Sequence, residues 1–223
     1  MYIVTYECEI DNQKNYEIKI TPPKGMEDFF MAAENINYHC YHIEYRDFHH
    51  EIICPKYMFA DGNYVVVIPW FLIPGRPYPI QIYLFACSFY SSNQDIGQRG
   101  AAQATRDEFK LKYFSYSTVS RSFKAFEQTI KQSLEHRFGE EVKVCGTEIP
   151  NNADAVEKIK VKNDEAPNIV KSFPCAVDMT VRRKKMAVFF QEFLYCAKKE
   201  ENIETASRQF VESWHKKTKK LLL

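Results

Sequence analysis

The sequence predicts an α+β fold: a small β-rich N-terminal subdomain, a central helix-turn-helix and a helical C-terminal tail. Three observations predict it. Residues 1–90 carry short alternating runs and one nearly pure Val/Ile run, punctuated by Pro, Asn and Asp. Residues 91–139 switch to helical spacing in two segments separated by a short break. After a polar stretch with three prolines at 140–174, helical spacing returns over 175–223.

Taken in order, Tyr2 to Ile10 and Tyr16 to Thr21 alternate apolar and polar residues and predict two strands, with Asp11 to Asn15 as the turn between them. Pro22 and Pro23 stop the second. Met26, Phe29, Phe30 and Ala33 recur at helical spacing and predict a short helix within Gly25 to Asn37. His42 to Cys54 and Asn63 to Pro69 predict further strands, the latter so rich in Val that both its faces are expected to be buried. The Pro-rich turn that follows leads into Ile80 to Tyr90, where periodicity does not separate helix from strand; helix is the working expectation. Gly97 to Leu111 predicts a helix whose paired Ala101 and Ala102 suit close crossing by another helix. Lys112 to Tyr116 supplies a turn, and residues 117–135 the next helix, capped by Ser115 or Ser117. Glu140 to Pro174 is expected to be a linker, and Arg182 to Leu223 a helical pair broken between Lys199 and Glu204.

Composition bounds the class. A chain of 223 residues with 45% hydrophobic and 15% aromatic side chains has enough apolar mass for a real core. Net charge is only +1, but acids crowd the first sixty residues while the middle and C-terminus are basic, an asymmetry that suits a nucleic-acid surface on one side. Met1 to Thr5 runs straight into Glu7 and Glu9, unlike a signal peptide. Prolines interrupt the apolar stretch from Tyr64 to Phe89, whereas a membrane span needs about twenty apolar residues in a row. No membrane partner is expected. Seven scattered cysteines without a C-x-x-C pair suit reduced thiols, so a cytoplasmic location is expected.

The central helix pair carries the most specific chemistry. Val119, Phe123, Phe126 and Ile130 fall at spacings of four, three and four and make an apolar stripe. The opposite face is read as Thr118, Arg121, Ser122 and Ala125, with Lys124 and Gln128 at its edges. Short side chains let such a helix approach base edges; Arg121 suits a guanine and Thr118 a thymine methyl. Tyr116, Lys112 and Lys124 suit phosphates. From Arg99 to Lys131, seven basic residues face only Asp107, Glu108 and Glu127. The expected DNA-contacting set is Arg99, Lys112, Tyr116, Ser117, Thr118, Arg121, Ser122, Lys124 and Ala125, and the basic runs at 182–185 and 216–220 are candidate phosphate contacts. Two competing readings are a plain helical hairpin with a solvated basic face, and an interaction module exposing an apolar patch between Met186 and Trp214.

Metal and catalytic signals are weaker. His39, Cys40, His42, His49, His50 and Cys54 are residue types that suit zinc, and a strand pair is one way to bring His42 or Cys40 opposite His50 or Cys54. Their spacing matches no ordinary finger, so no metal and no cofactor are expected. The sequence lacks the G-x-x-x-x-G-K-[ST], H-E-x-x-H and G-x-S-x-G patterns, and an enzyme is not expected.

Pro69 to Ile80 (PWFLIPGRPYPI), then Ser91 to Phe109 and the segment FSYSTVSRSFKAFE, together resemble the N-terminal DNA-binding region of bacterial insertion-sequence transposases and related small mobile-element proteins of Firmicutes. The resemblance spans roughly His42 to Glu135 and is absent from the C-terminal part. In that family a cysteine knuckle precedes the Pro-rich stretch; here only Cys54 stands near its place. No catalytic domain is expected in the C-terminal part, so transposition chemistry is not expected to carry over. The resemblance implies a non-catalytic, mobile-element-type protein that binds duplex DNA, with a recombinase or transposase as a second candidate partner.

Overall fold

A computed structural model describes residues 1–6, 8–9, 17–18, 26–46, 48–145, 174–200 and 202–218, and over them the protein is α+β. In chain order come β1 (Tyr2–Thr5), β2 (Cys8–Glu9), β3 (Glu17–Ile18), α1 (Glu27–Met31), β4 (Asn35–Tyr45), β5 (Phe48–Met58) and β6 (Tyr64–Pro69). The helices α2 (Ile80–Ser92), α3 (Gln98–Phe109), α4 (Tyr116–Cys145), α5 (Pro174–Glu200) and α6 (Ile203–Thr218) follow. Four strands form one sheet in the order β1-β6-β5-β4, with β1 parallel to β6 and the other pairs antiparallel. A two-stranded β2–β3 ribbon stands beside it.

One long hairpin replaces the single strand expected at His42 to Cys54. It pairs Asn35 with Met58 at one end and Tyr45 with Phe48 at the other. The reversal falls at Arg46, whose φ of 47° is the left-handed conformation that two-residue hairpin loops require. No Asn-Gly or Gly signal marks it, and apolar alternation resumes at once, so the turn is hidden in sequence. The early start of β4 also truncates α1, which is shorter than the Gly25 to Asn37 segment predicts.

The sheet buries both faces at β6, as its Val/Ile run predicts. Val67 packs with Tyr57 and Phe30 of α1, while Val66 and Ile68 join Ile43, Ile52 and Cys54 beneath the helices. Trp70, Phe71, Leu72 and Ile73 carry this core into the Pro-rich turn, where Gly75 at φ 75° takes a conformation that strains other residues.

The helix α2 is buried almost all round, from Ile80 through Ser91. That explains why its periodicity is uninformative: a helix covered on every side has no polar face to mark a period. Packed against it are α3, α4, α5 and α6. Phe126 of α4 meets Phe190 of α5, and Phe189 meets both Phe210 and Trp214 of α6. The C-terminal helices therefore belong to the same core as the sheet and the central helices. Asn202 caps α6 by accepting the Glu204 N–H at 2.8 Å, which sets the break between the two helices. Of the linker expected at 140–174, residues 140–145 continue α4 and Pro174 opens α5; residues 146–173 lie outside the described residues.

Candidate nucleic-acid interface

The turn between α3 and α4 is held from inside. At its start Lys110 adopts φ 51° and ψ 42°, and the Leu111 N–H donates to the Arg106 carbonyl at 3.0 Å, a left-handed helix cap. Leu111 and Phe114 are buried, and the Phe114 ring lies 5.4 Å from that of Tyr78. Arg106 Nη1 donates to the Phe114 carbonyl at 2.5 Å, and the Tyr78 hydroxyl donates to the Tyr113 carbonyl. Burial, with Glu44 beside it, pushes the Tyr78 phenol up to about 12, so it stays a neutral donor. Two side chains from outside the turn thus fix its backbone while Lys112 and Tyr113 project to solvent.

Ser115, rather than Ser117, caps α4: its Oγ accepts the Thr118 N–H at 3.2 Å. The hydroxyls of Ser117 and Thr118 lie 2.7 Å and 3.0 Å from the same oxygen, so both are engaged at the cap. Along α4 the buried stripe is Val119, Ser122, Phe123, Phe126 and Ile130. Ser122 corrects the sequence reading, which placed it on the outer face. It is 0% exposed and accepts a hydrogen bond from Arg76 Nη1 at 2.9 Å. The reason is angular: three residues beyond Val119 and four before Phe126, Ser122 lies inside the stripe. The open face is consequently rotated toward Arg121, Lys124 and Gln128, with Ser117, Thr118 and Ala125 half-buried on its flanks.

Two of the expected basic residues stand over exposed rings. The Arg99 guanidinium of α3 lies 5.5 Å from the Tyr116 ring at the start of α4, and Lys112 Nζ lies 5.2 Å from the Tyr113 ring. The structure thus sets Arg99 of α3 beside Tyr116 at the start of α4, leaves Lys112 exposed in the turn beside Tyr113, and carries Arg121 and Lys124 along the open face of α4. Sequence reasoning missed Tyr113, Tyr78, Arg106 and Arg76. Only the Pro-rich stretch containing Arg76 and Tyr78 was singled out, and nothing in it signals these partners.

Charge across this region is more positive than the sequence count suggests at one point and less at another. Glu127, one of the three opposing acids, is held by Arg182 through Nε–Oε1 at 3.0 Å and Nη2–Oε2 at 2.5 Å. Arg183 is spent as well, donating to the carbonyls of Tyr90, Asn93, Gln94 and Ile96. The basic run at 182–185 is therefore half structural, and only Lys184 and Lys185 stand exposed. Arg106 is consumed by Phe114 and Gln103.

The histidine and cysteine cluster does not converge. In the hairpin the exposed His39 pairs with the buried Cys54 and the buried Ile43 with the buried His50, while on the other face Cys40 pairs with Ile53 and His42 with Glu51. The pairings of His42 or Cys40 with His50 or Cys54 considered from sequence do not occur. Among the described residues no group of three or more His, Cys, Asp or Glu side chains is placed to hold a metal ion. Of the apolar residues between Met186 and Trp214, Met186, Phe190, Phe193, Phe210 and Val211 are buried in the protein's own core, while Val188 and Tyr195 are exposed. Among the described residues no helix is long and apolar enough to cross a membrane.

Compared with known proteins, the chain matches no family model, no curated protein and no solved structure. The likeness to transposase DNA-binding regions accordingly remains a resemblance carried by the residues alone.

Proposed function

We propose that this chain is a non-catalytic DNA-binding protein of mobile-element type that reads duplex DNA with the exposed face of α4. The observation that carries the reading is the open strip of Arg121, Lys124 and Gln128, with Arg99 beside Tyr116 at the start of α4 and Lys112 in the preceding turn. Its nearby acid Glu127 is already neutralised by Arg182. Arg121 suits a guanine edge and Lys124, Lys112 and Arg99 suit phosphates. The resemblance to transposase DNA-binding regions agrees with this assignment. A cytoplasmic location suits the buried free thiols of Cys8, Cys54 and Cys87.

The test is binding of duplex DNA by fluorescence anisotropy at about 50 mM and about 200 mM salt, where counterion release makes affinity fall steeply. Arg121→Ala is expected to cost about 1–3 kcal/mol of specific binding. Lys124→Ala is expected to weaken all sequences alike and to lower the salt slope by about one. Affinity that is negligible, or that ignores both salt and Arg121, overturns the proposal.

A further inference from the structure

We infer that the α3–α4 turn is a stacking site for an unpaired nucleotide, such as a frayed or single-stranded end next to the duplex that α4 reads; the inference rests on the DNA-binding reading and extends it. Two tyrosines stand at the leading end of α4 and the turn before it. Here Tyr113 is 65% exposed and Tyr116 is 52% exposed. Each already carries a cation, Lys112 over Tyr113 and Arg99 over Tyr116. A flat ring beside a cation is the pairing that holds single strands, the ring stacking on the base and the cation meeting its phosphate.

Two hollows flank Lys112 and Tyr113, which form a ridge between them. One, of about 390 Å³, is lined by Pro77, Tyr78, Arg106, Phe114, Ser115 and Thr118 along with the ridge. The other, of about 220 Å³, lies between the ridge and Glu44, Tyr45, His49, Lys110 and Leu111. The larger hollow is lined by both polar residues, Ser115 and Thr118, and the apolar Pro77 and Phe114. The ridge is also preorganised: the carbonyls of Tyr113 and Phe114 are held by Tyr78 and Arg106, so presenting the ring costs little ordering on binding.

The experiment compares a blunt duplex of about 20 base pairs with the same duplex carrying a short single-stranded tail. The tail contains 2-aminopurine, whose fluorescence is quenched on stacking. Wild type is expected to bind the tailed duplex about 5-fold to 150-fold more tightly than the blunt one, the range of one stacked base, with quenching of the probe. Tyr113→Leu is expected to abolish that difference and the quenching while leaving blunt-duplex affinity and the unfolding midpoint unchanged; Tyr113→Phe is expected to retain both. Equal affinity of wild type for the two duplexes overturns the inference and leaves the duplex reading standing. A Tyr113→Leu loss shared equally by both duplexes also overturns it, because the ring then serves the duplex itself. Failure of the blunt duplex to bind, with a Tyr113-dependent grip on the tail, removes the duplex reading and upholds the stacking site.

Discussion

Arg183 is expected to be worth more to stability than its place in a basic surface run suggests. Its guanidinium reaches from α5 to the end of α2, where the last carbonyls of a helix have no partners within it. Nε and Nη2 meet the Tyr90 carbonyl at 3.1 and 2.5 Å, Nη2 also meets Asn93 at 2.6 Å and Ile96 at 3.0 Å, and Nη1 meets Gln94 at 3.0 Å. The plane lies 4.2 Å from the Tyr90 ring. The bonds to Asn93 and Gln94 are exposed, and water replaces them readily on truncation. Those to Tyr90 and Ile96 are partly buried, and charge-assisted bonds of that kind contribute about 1.5–3 kcal/mol each. Adding the ring contact and the helix-end charge, and discounting for shared donors, Arg183→Ala is expected to cost about 3 kcal/mol. Arg183→Lys is expected to recover less than half, since an ammonium lacks the planar fork. Lys184→Ala, exposed one residue on, is expected to stay within about 0.5 kcal/mol. Urea unfolding followed by tryptophan fluorescence measures all three. If Arg183→Ala and Lys184→Ala shift the midpoint equally at unchanged slope, the carbonyl cage does not stabilise the fold and the reasoning fails.

Two further outcomes are expected. Gln81 in α2 is 0% exposed and neither of its amide atoms finds a hydrogen-bond partner among the described residues, so Gln81→Leu is expected to raise stability by about 1–2 kcal/mol in thermal melts; a loss of similar size refutes this. Glu204 of α6 accepts the Tyr45 hydroxyl, yet burial raises its carboxyl above the ordinary glutamate value, so the folded state holds the proton more tightly than the unfolded chain. Its contribution is then fully present below the ordinary range near pH ~4 and is lost as pH rises through the folded value. Glu204→Gln is expected to gain on wild type across that window and to hold a constant difference above it, and a difference that is flat with pH contradicts the assignment.

What was legible in the sequence were features written in neighbouring residues. The Val/Ile run of β6, the stripe of Val119, Phe123, Phe126 and Ile130, and the cap near Ser115 each depend on local spacing, and the structure shows all three. The hairpin turn at Arg46 was not legible, because a left-handed Arg carries no composition signal. The inward place of Ser122 was written in its spacing to Val119 and Phe126 and was misread, but its partner Arg76, 46 positions earlier in the chain, was not legible. Tyr113 escaped notice for the same reason. Its prominence depends on Tyr78 and Arg106 fixing a turn that reads in sequence as an ordinary break.

The arginines make the physical point most sharply. Arg76, Arg106, Arg182 and Arg183 are indistinguishable by type from Arg99 and Arg121, yet the first four aim at protein acceptors: a serine oxygen, backbone carbonyls and one carboxylate. Three of those contacts converge on the elements flanking the α3–α4 turn, tying the Pro-rich turn and α5 to α4, and α3 to the turn itself. A guanidinium with its donors filled by carbonyls has little left for a phosphate, because each donor satisfied inside would have to be broken to act outside. The inner arginines therefore set the position of α4, and the outer ones, together with Lys112 and Lys124, set what can approach it. The charge left for any outside partner is the remainder after internal carbonyls and carboxylates are satisfied, and among the described residues that remainder includes Lys112 in the turn, Arg121 and Lys124 on the open face of α4, and Lys184 and Lys185 on α5.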